Sequence, residues 1–351
     1  MFPEDAKRLP DVKLDRGLER INEAERKQKY HFKRDVVEGG GQDEKLLEII
    51  RANTNLSGHF QGAVPTILNG ENYKVTAYVS KGKDRSILLA EQEDKSNVLI
   101  NIIHEEFDDD AVYNSLKEYM FQELAYKAMG GACKTTKPLG FIRRKTGFYD
   151  PYNYMMVSQP IVPDSYSVFT FTEALSLHST KPLCTKSRWM RVCQQLIFAV
   201  QSLKKNDLYH NAITPANVLL LVSEKRLISL LIDFSNASRG KTGNTKPMYG
   251  PPDQMKPYSV PEHFELPDPL QTSDLHSVTY LILKISQVLQ LPVLENYITG
   301  YRQQNPQKRD THGTVSRKVT EIFTEEIKDT RDLTIKDRAP PLKGELDDEC
   351  K

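Results

Sequence analysis

Length, composition and charge exclude several classes of protein. The chain has 351 residues, with 48 Lys and Arg against 47 Asp and Glu and a hydrophobic fraction of 38%. This balance is typical of a soluble globular protein and does not point to nucleic acid as a partner. No stretch approaches the roughly 20 apolar residues that cross a bilayer, and the charged beginning of the chain does not resemble a signal peptide.

The N-terminal segment is polar and has helical periodicity. Residues 14–52 are rich in Glu, Lys and Arg, carry spaced apolar positions and are interrupted by glycines at 39–41. This pattern predicts two helical pieces around a flexible joint. We therefore assign residues 1–62 to a helical N-terminal extension.

A small β-rich region follows at residues 63–158. Short runs with strand composition, separated by Gly, Lys and Asp, predict strands at 73–79, 86–89, 98–103 and 148–161. Residues 110–129 have the pattern of a helix. The region is therefore expected to be a β-rich N-lobe that contains one helix.

From residue 159 to 351 the chain is predicted to be mainly helical. One apolar stripe with helical spacing is formed by Trp189, Val192, Cys193, Leu196, Val200 and Leu203. A second stripe is formed by Leu275, Val278, Ile282, Ile285 and Leu289. Between them, two apolar strand-like runs flank a polar turn at 223–226. The whole pattern predicts an α+β fold with a mainly helical C-lobe and a C-terminal tail.

The segment between the two helical stripes carries recognisable motifs. Residues 208–217 read LYHNAITPAN and residues 232–235 read IDFS. In order and separation they resemble two protein-kinase motifs, the catalytic loop H-R-D-L-x-x-x-N and the metal-binding D-F-G. The matching residues are His210, Pro215, Asn217, Asp233 and Phe234.

The residues that carry out phosphoryl transfer in this motif are replaced. Ala212 stands where a kinase has the Asp that orients the substrate hydroxyl, and Asn211 and Thr214 replace an Arg and a Lys. Asn217 and Asp233 survive at positions that hold Mg²⁺ in a kinase. Asp233 has two interpretations, a metal ligand or a hydrogen-bonded structural acid, and we favour the structural one.

Two further parts of a nucleotide site are altered. Asn101 occupies the place of the Lys in the V-A-I-K strand motif, so the charge that attracts phosphate is missing. In a kinase that Lys also pairs with a glutamate of the following helix. We expect Glu123 to be the glutamate that is left without this partner here. The window 65–90 contains only Gly70 and Gly82, so no glycine-rich phosphate loop precedes the strand.

Supporting positions of the kinase pattern remain. His210 is expected to pack and support the loop rather than act as a catalytic base. Asp274 resembles the acid that braces the catalytic-loop backbone, and YGPPD at 249–253 resembles the end of an activation segment. Each motif is weak alone, but their order over residues 60–330 predicts a bilobal protein-kinase-like fold.

The combination of motifs resembles one family in particular. The kinase pattern, the helical extension, the missing glycine loop and the Tyr-Gly-Pro-Pro sequence are similar to the rhoptry-kinase-like family of coccidian parasites such as Toxoplasma, in the branch without a glycine loop. Ala212 and Asn101 place the chain with the pseudokinase of that branch rather than with its active kinases. The resemblance implies secretion into the parasitophorous vacuole or cyst wall, with the signal sequence removed. It also implies other secreted parasite or host proteins as partners.

The same resemblance implies an oxidising compartment, in which cysteines could pair in one of three complete connectivities. The four cysteines are Cys133, Cys184, Cys193 and Cys350. They do not have the spacing of a zinc site.

We expect no cofactor and no catalysis, and hence a scaffold or allosteric partner. Two alternatives stay open. One is an atypical transferase that uses Mg-ATP through Asn217 and Asp233, and the other is a sensor that binds ATP without turnover.

Overall fold

The structure is a computed structural model that describes residues 19–30, 43–81, 85–103, 109–130, 135–145, 152–160, 166–180, 185–223, 226–240, 273–304 and 309–329. The chain divides into two compact units. The N-terminal unit contains Leu18–Lys127 and Thr136–Pro160, and the C-terminal unit contains Ala128–Thr135 and Ile161–Lys351.

The N-terminal unit is built on a seven-stranded sheet. Its strands are β1 (Glu19–Arg20), β2 (Ile67–Leu68), β3 (Lys74–Lys81), β4 (Arg85–Glu91), β5 (Asn97–Ile103), β6 (Lys137–Lys145) and β7 (Tyr152–Gln159). They lie in the order β1-β3-β4-β5-β7-β6-β2, and all pairs are antiparallel except β2 with β6.

Most of the predicted strands are confirmed. The runs at 73–79, 86–89 and 98–103 lie in β3, β4 and β5. The run at 148–161 contains β7, but β7 forms a hairpin with β6, which the sequence pattern did not reveal. Basic residues at both ends of β6 interrupt its apolar alternation, and this explains why it was missed.

One face of the sheet carries an apolar core, because alternate strand residues point to the same side. In β5, Val98, Ile100 and Ile102 face this core, so Asn101 between them points to the opposite face. The buried members of the core are Ile21, Tyr30, Tyr73, Val75, Tyr78, Leu88, Ala90, Val98, Ile100, Ile102, Ile142, Met155 and Val157.

The helices described in the same unit are α1 (Glu23–Lys29), α2 (Glu44–Ala52), α3 (Thr54–Phe60) and α4 (Asp109–Ala128). The helix predicted at 110–129 is confirmed as α4. The two helical pieces predicted within 14–52 correspond to α1 and α2, whereas α3 was not predicted. The glycine joint at 39–41 lies outside the described residues.

The described part of the N-terminal extension belongs to the sheet unit. The hydroxyls of Tyr30, just after α1, and Tyr78 of β3 lie 2.5 Å apart. Asp43 caps α2 by accepting from the Leu46 amide, and it also accepts from the Tyr154 hydroxyl at 2.9 Å and from Arg143 at 3.0 Å. These buried polar contacts fix the extension to the strands.

The C-terminal unit is mainly helical. Its described helices are α5 (Phe171–Thr180), α6 (Lys186–Lys205), α7 (Ser273–Leu289), α8 (Pro292–Gln303) and α9 (His312–Asp329). Its strands are β8 (Ser167–Thr170), β9 (Leu208–Tyr209), β10 (Val218–Val222), β11 (Leu227–Leu231) and β12 (Ser238–Arg239). Both predicted helical stripes are confirmed, because every residue named for them is buried in α6 or α7.

Strand β11 ends two residues before Asp233, and other parts of the unit form hydrogen bonds to the edge of β11 that faces away from β10. The hairpin predicted around the turn at 223–226 is the antiparallel pair of β10 and β11. The Gln195 side chain of α6 accepts from the Ser229 amide at 2.8 Å, and the Thr135 hydroxyl donates to the Leu231 carbonyl at 2.8 Å. These bonds satisfy edge groups that β10 does not reach.

The described residues therefore form an α+β protein with a sheet-based N-terminal unit and a mainly helical C-terminal unit. Among the described helices, none has the length and apolar character that a bilayer span requires.

Candidate functional site

The residues singled out by the sequence lie in two groups, one in each unit. The N-terminal group surrounds Asn101 of β5. Its side chain is buried, and its amide nitrogen donates to Oε1 of Glu118, in α4, at 2.9 Å. The same oxygen accepts from the guanidinium of Arg85, at the start of β4.

The acid opposite Asn101 is thus Glu118, and the expectation that it would be Glu123 is wrong. Glu123 instead accepts from Nε2 of His59, in α3, at 2.7 Å and from Lys127 at 2.9 Å. Burial raises the pKa of Glu123, but the hydrogen bonds from Lys127 and His59 outweigh it and leave that pKa below its ordinary value. Glu123 ties α4 to the extension rather than to the sheet.

The rotation of α4 selects Glu118, which no apolar stripe in the sequence of this helix marks. Positions 111, 115, 118, 122 and 125 lie along one face of α4, and all of them are buried. Glu123 lies beyond the edge of that face, 30% exposed, whereas the Glu118 side chain is 2% exposed. No sequence signal pointed to Arg85, because a cation on the neighbouring strand is brought to α4 only by sheet pairing.

Glu118 fixes the orientation of the Asn101 amide. A carboxylate can only accept, so the amide must turn its nitrogen toward Glu118 and its oxygen away. That buried oxygen, Oδ1, has no hydrogen-bond partner in the part of the chain that the structure describes. An acceptor at this position cannot attract a phosphate, which also presents only acceptors.

The C-terminal group is the loop that follows β9, held by Asp274 of α7. One oxygen of Asp274 accepts from the His210 amide at 2.7 Å, and the other accepts from the Asn211 amide at 2.9 Å. Asn211 has φ +61°, a left-handed conformation that Asn tolerates better than most residues. The prediction that Asp274 braces this loop is confirmed.

His210 is a supporting residue, as predicted. It is fully buried, its Nε2 lies 3.1 Å from the Ile232 carbonyl, and its Nδ1 lies 3.3 Å from the Ala212 amide. Both contacts are hydrogen bonds only when the neutral ring carries its proton on Nε2. Burial lowers the pKa of His210, and this keeps the ring neutral near pH 7.

Ala212 and Thr214 are both buried, so a methyl group stands at the position where the kinase motif has its acid. The Asn217 amide nitrogen donates to the Ala212 carbonyl at 2.8 Å, which fixes the turn that closes the loop. Asn217 in turn accepts at its own carbonyl from the Ile232 amide at 3.0 Å. The loop is thereby joined to the segment that carries Asp233.

The loop is tied to the same segment at a second point. Nδ2 of Asn211 donates to the Asn236 carbonyl at 3.0 Å and to the Ser238 hydroxyl at 2.9 Å. Ser238 pairs with Tyr209 in the short sheet of β9 and β12. A neutral amide therefore makes this connection at the position where a kinase has an arginine.

Asp233 makes local hydrogen bonds. One of its oxygens accepts from the Ser235 hydroxyl at 2.6 Å and from the Ser235 amide at 3.3 Å, in a turn where Asp233 has φ +66°. This is the behaviour of the structural acid that we favoured. Within the described ranges, no three His, Cys, Asp or Glu side chains are grouped so that they could hold a metal ion.

The remaining expectations concern the cysteines and the activation segment. Cys193 is fully buried in α6 as a free thiol, and burial raises its pKa. No disulfide partner of Cys193 lies among the described residues. The other cysteines, at 133, 184 and 350, and the YGPPD run at 249–253 lie outside the described residues.

No family model and no curated protein matches the chain.

Proposed function

We propose that this chain is a pseudokinase: a bilobal protein-kinase-like fold that has lost phosphoryl transfer and acts as a scaffold or allosteric partner. The observation that carries the proposal is the loop at 210–217. His210 and Asp274 support it, yet Ala212 supplies no carboxylate at the position where transfer requires one. A loop that keeps its supporting hydrogen bonds but has no catalytic carboxylate fits a protein that binds partners through the kinase-like fold and does not transfer phosphate.

The N-terminal group supports the same proposal. A kinase lysine at position 101 would contact both the helix glutamate and the nucleotide phosphates. Here Asn101 carries no charge, and the glutamate at this place, Glu118, is already neutralised by Arg85. Of the two charge interactions that the lysine would make, the one with the glutamate is provided by Arg85, and the one with the phosphates is missing.

Location and partners rest on the resemblance to the rhoptry-kinase-like branch without a glycine loop. On that basis the protein is secreted into the parasitophorous vacuole or cyst wall and holds another secreted parasite protein or a host protein. The near balance of 48 basic and 47 acidic residues fits a protein partner better than a polyanion.

Thermal unfolding with and without millimolar Mg-ATP tests the proposal. A ligand at a hundredfold excess over its dissociation constant stabilises the folded state by about 2.7 kcal/mol, which a melting curve detects easily. We expect no shift for the natural sequence. Asp233→Ala is the control, because any shift that depends on a metal held there must disappear in it.

The second candidate, a nucleotide sensor or an atypical transferase, is favoured by the survival of Asn217 and Asp233. The bond from Asn217 to the Ala212 carbonyl uses only the amide nitrogen, and the oxygen is the atom that could bind Mg²⁺. An Asp233-dependent shift without transfer of labelled phosphate would indicate a sensor. Transfer that is abolished by Asp233→Ala would sink the scaffold proposal.

A further inference from the structure

The cation that neutralises the glutamate of α4 comes from an unexpected strand. In the β4–β5 pair, Ile87 lies opposite Asn101 and Arg85 lies opposite Ile103. Directly paired residues point to the same face, so Arg85 and Asn101 are diagonal neighbours on the face that α4 covers. The long arginine side chain spans this diagonal and reaches the same oxygen of Glu118 as the asparagine.

Burial makes this contact consequential. The Glu118 side chain is 2% exposed and that of Arg85 is 12% exposed, so water contributes little to the solvation of either charge. A buried carboxylate remains ionised only when a cation and hydrogen-bond donors replace the water it has lost. Asn101 supplies a donor but no charge, and Arg85 supplies the charge.

Helix α4 is also held from the extension. Lys45 of α2 pairs with Asp109 at 3.1 Å, and His59 of α3 contacts Glu123 at 2.7 Å. These contacts lie near the two ends of α4, and the Arg85–Glu118 contact lies near its middle.

We propose that Arg85 is a positioning residue that replaces the missing lysine and keeps α4 fixed on the sheet without a nucleotide. In an active kinase the corresponding strand-lysine to helix-glutamate pair must form before catalysis, and it is a point of control. Relocating the cation to β4 preserves the pair while removing the phosphate contact. The correspondence of α4 with the control helix of a kinase rests on the proposed function.

Hydrogen exchange of the intact, nucleotide-free protein tests this inference, with the amides of α4 as the readout. Arg85→Met removes the charge at nearly constant length. The double variant Arg85→Met with Asn101→Lys returns a cation to β5, next to Glu118. Arg143→Met is the matched control, because Arg143 also pairs with a buried carboxylate, Asp43, but at the N-terminus of α2.

We expect Arg85→Met to accelerate α4 exchange by about a hundredfold, the scale set by leaving a buried charge without its partner. The double variant should return α4 to within about threefold of the natural protein, a rescue that a merely space-filling arginine would not show. Arg143→Met should accelerate exchange in α2 more than in α4.

Unchanged α4 exchange in Arg85→Met, or failure of Asn101→Lys to restore slow exchange, would overturn the inference. If Arg85→Met does not fold, the inference requires that the double variant folds. If neither variant folds, the inference is overturned.

Mg-ATP separates this inference from the proposed function. If ATP slows α4 exchange and Arg85→Met abolishes that effect, Arg85 is a phosphate ligand and the positioning role is wrong. If ATP stabilises the protein but leaves α4 exchange unchanged, the pseudokinase proposal is weakened while the role of Arg85 stands.

Discussion

The two groups of residues differ in how they depart from the kinase motifs that they resemble. In the C-terminal unit, Ala212 stands where the motif has an acid, and the backbone of the loop is bonded to Asp274. In the N-terminal unit, Asn101 stands where the motif has a lysine, and Arg85 brings a positive charge to Glu118 from the next strand. On the proposed function, the acid is lost without a replacement, whereas the cation is supplied from another strand.

Physical chemistry accounts for the difference. A catalytic aspartate at position 212 would serve the substrate, so its loss leaves no other protein group unsatisfied. The lysine at position 101 would serve both the nucleotide and a buried carboxylate, so its loss alone would leave Glu118 buried without a cation. The proposed function therefore predicts that contacts which satisfy buried groups are kept when catalysis is lost.

The largest expected effect concerns the brace in the C-terminal unit. Asp274→Ala removes a charged acceptor from one buried and one part-buried amide and should lower the free energy of unfolding by about 3–5 kcal/mol, as expected for two charge-assisted hydrogen bonds. Urea denaturation measures this. Asp94→Ala is the control, because Asp94 also accepts from a backbone amide, that of Ser96, but at an exposed position. Equal effects of the two substitutions would contradict the bracing role.

The relocated cation should show strong coupling in a double-mutant cycle. Arg85→Met and Glu118→Met should each lower the free energy of unfolding by about 3 kcal/mol, because each removes the opposite charge from a buried ion pair. The double variant should lose only about 1–2 kcal/mol, mainly because the Asn101 amide then lacks its acceptor. Additive losses in denaturant unfolding would show that the two side chains do not interact.

Acidification should destabilise the C-terminal unit through buried histidines. Burial and, to a smaller extent, the nearby charge of Lys204 lower the pKa of His312 to about 4. The unfolded chain binds the proton near pH 6.5, so the stability from the neutral ring is complete above pH 6.5 and is lost between 6.5 and about 4. His312 alone should therefore remove about 3 kcal/mol at pH 4, and His210, whose pKa is also lowered by burial, acts in the same direction.

Tryptophan fluorescence provides the measurement, since Trp189 is the only tryptophan and is fully buried in α6. His312→Gln should flatten the decline between pH 6.5 and 4 relative to the natural sequence. A decline of the same steepness in both proteins would assign the effect to other groups.

The smallest expected effect is at the turn after β11. Ser235→Ala removes the hydroxyl that donates to Asp233 and should lower the free energy of unfolding by about 1 kcal/mol. Ser57→Ala is the control, because the Ser57 hydroxyl donates only to an exposed carbonyl one turn earlier in α3. A loss at Ser235 no larger than at Ser57 would show that Asp233 is not held by this turn.

Much of the C-terminal group could be predicted from the sequence because its contacts are local or follow a fixed spacing. His210, Ala212 and Asn217 belong to one loop, and Asp274 begins a helix with a clear apolar stripe. The N-terminal group was predicted less well. Glu123 was chosen by its place in the motif, although the buried face of α4 passes through Glu118.

The sequence by itself determined most of the elements and the identity of the residue at position 212. Apolar periodicity predicts α6 and α7, strand-like runs predict β3, β4, β5 and β7, and Ala212 is read directly. Only the tertiary structure decided which charges meet. Strand pairing places Arg85 diagonal to Asn101, and helix packing selects Glu118, because contacts between residues far apart in the chain depend on register and rotation that no local pattern encodes.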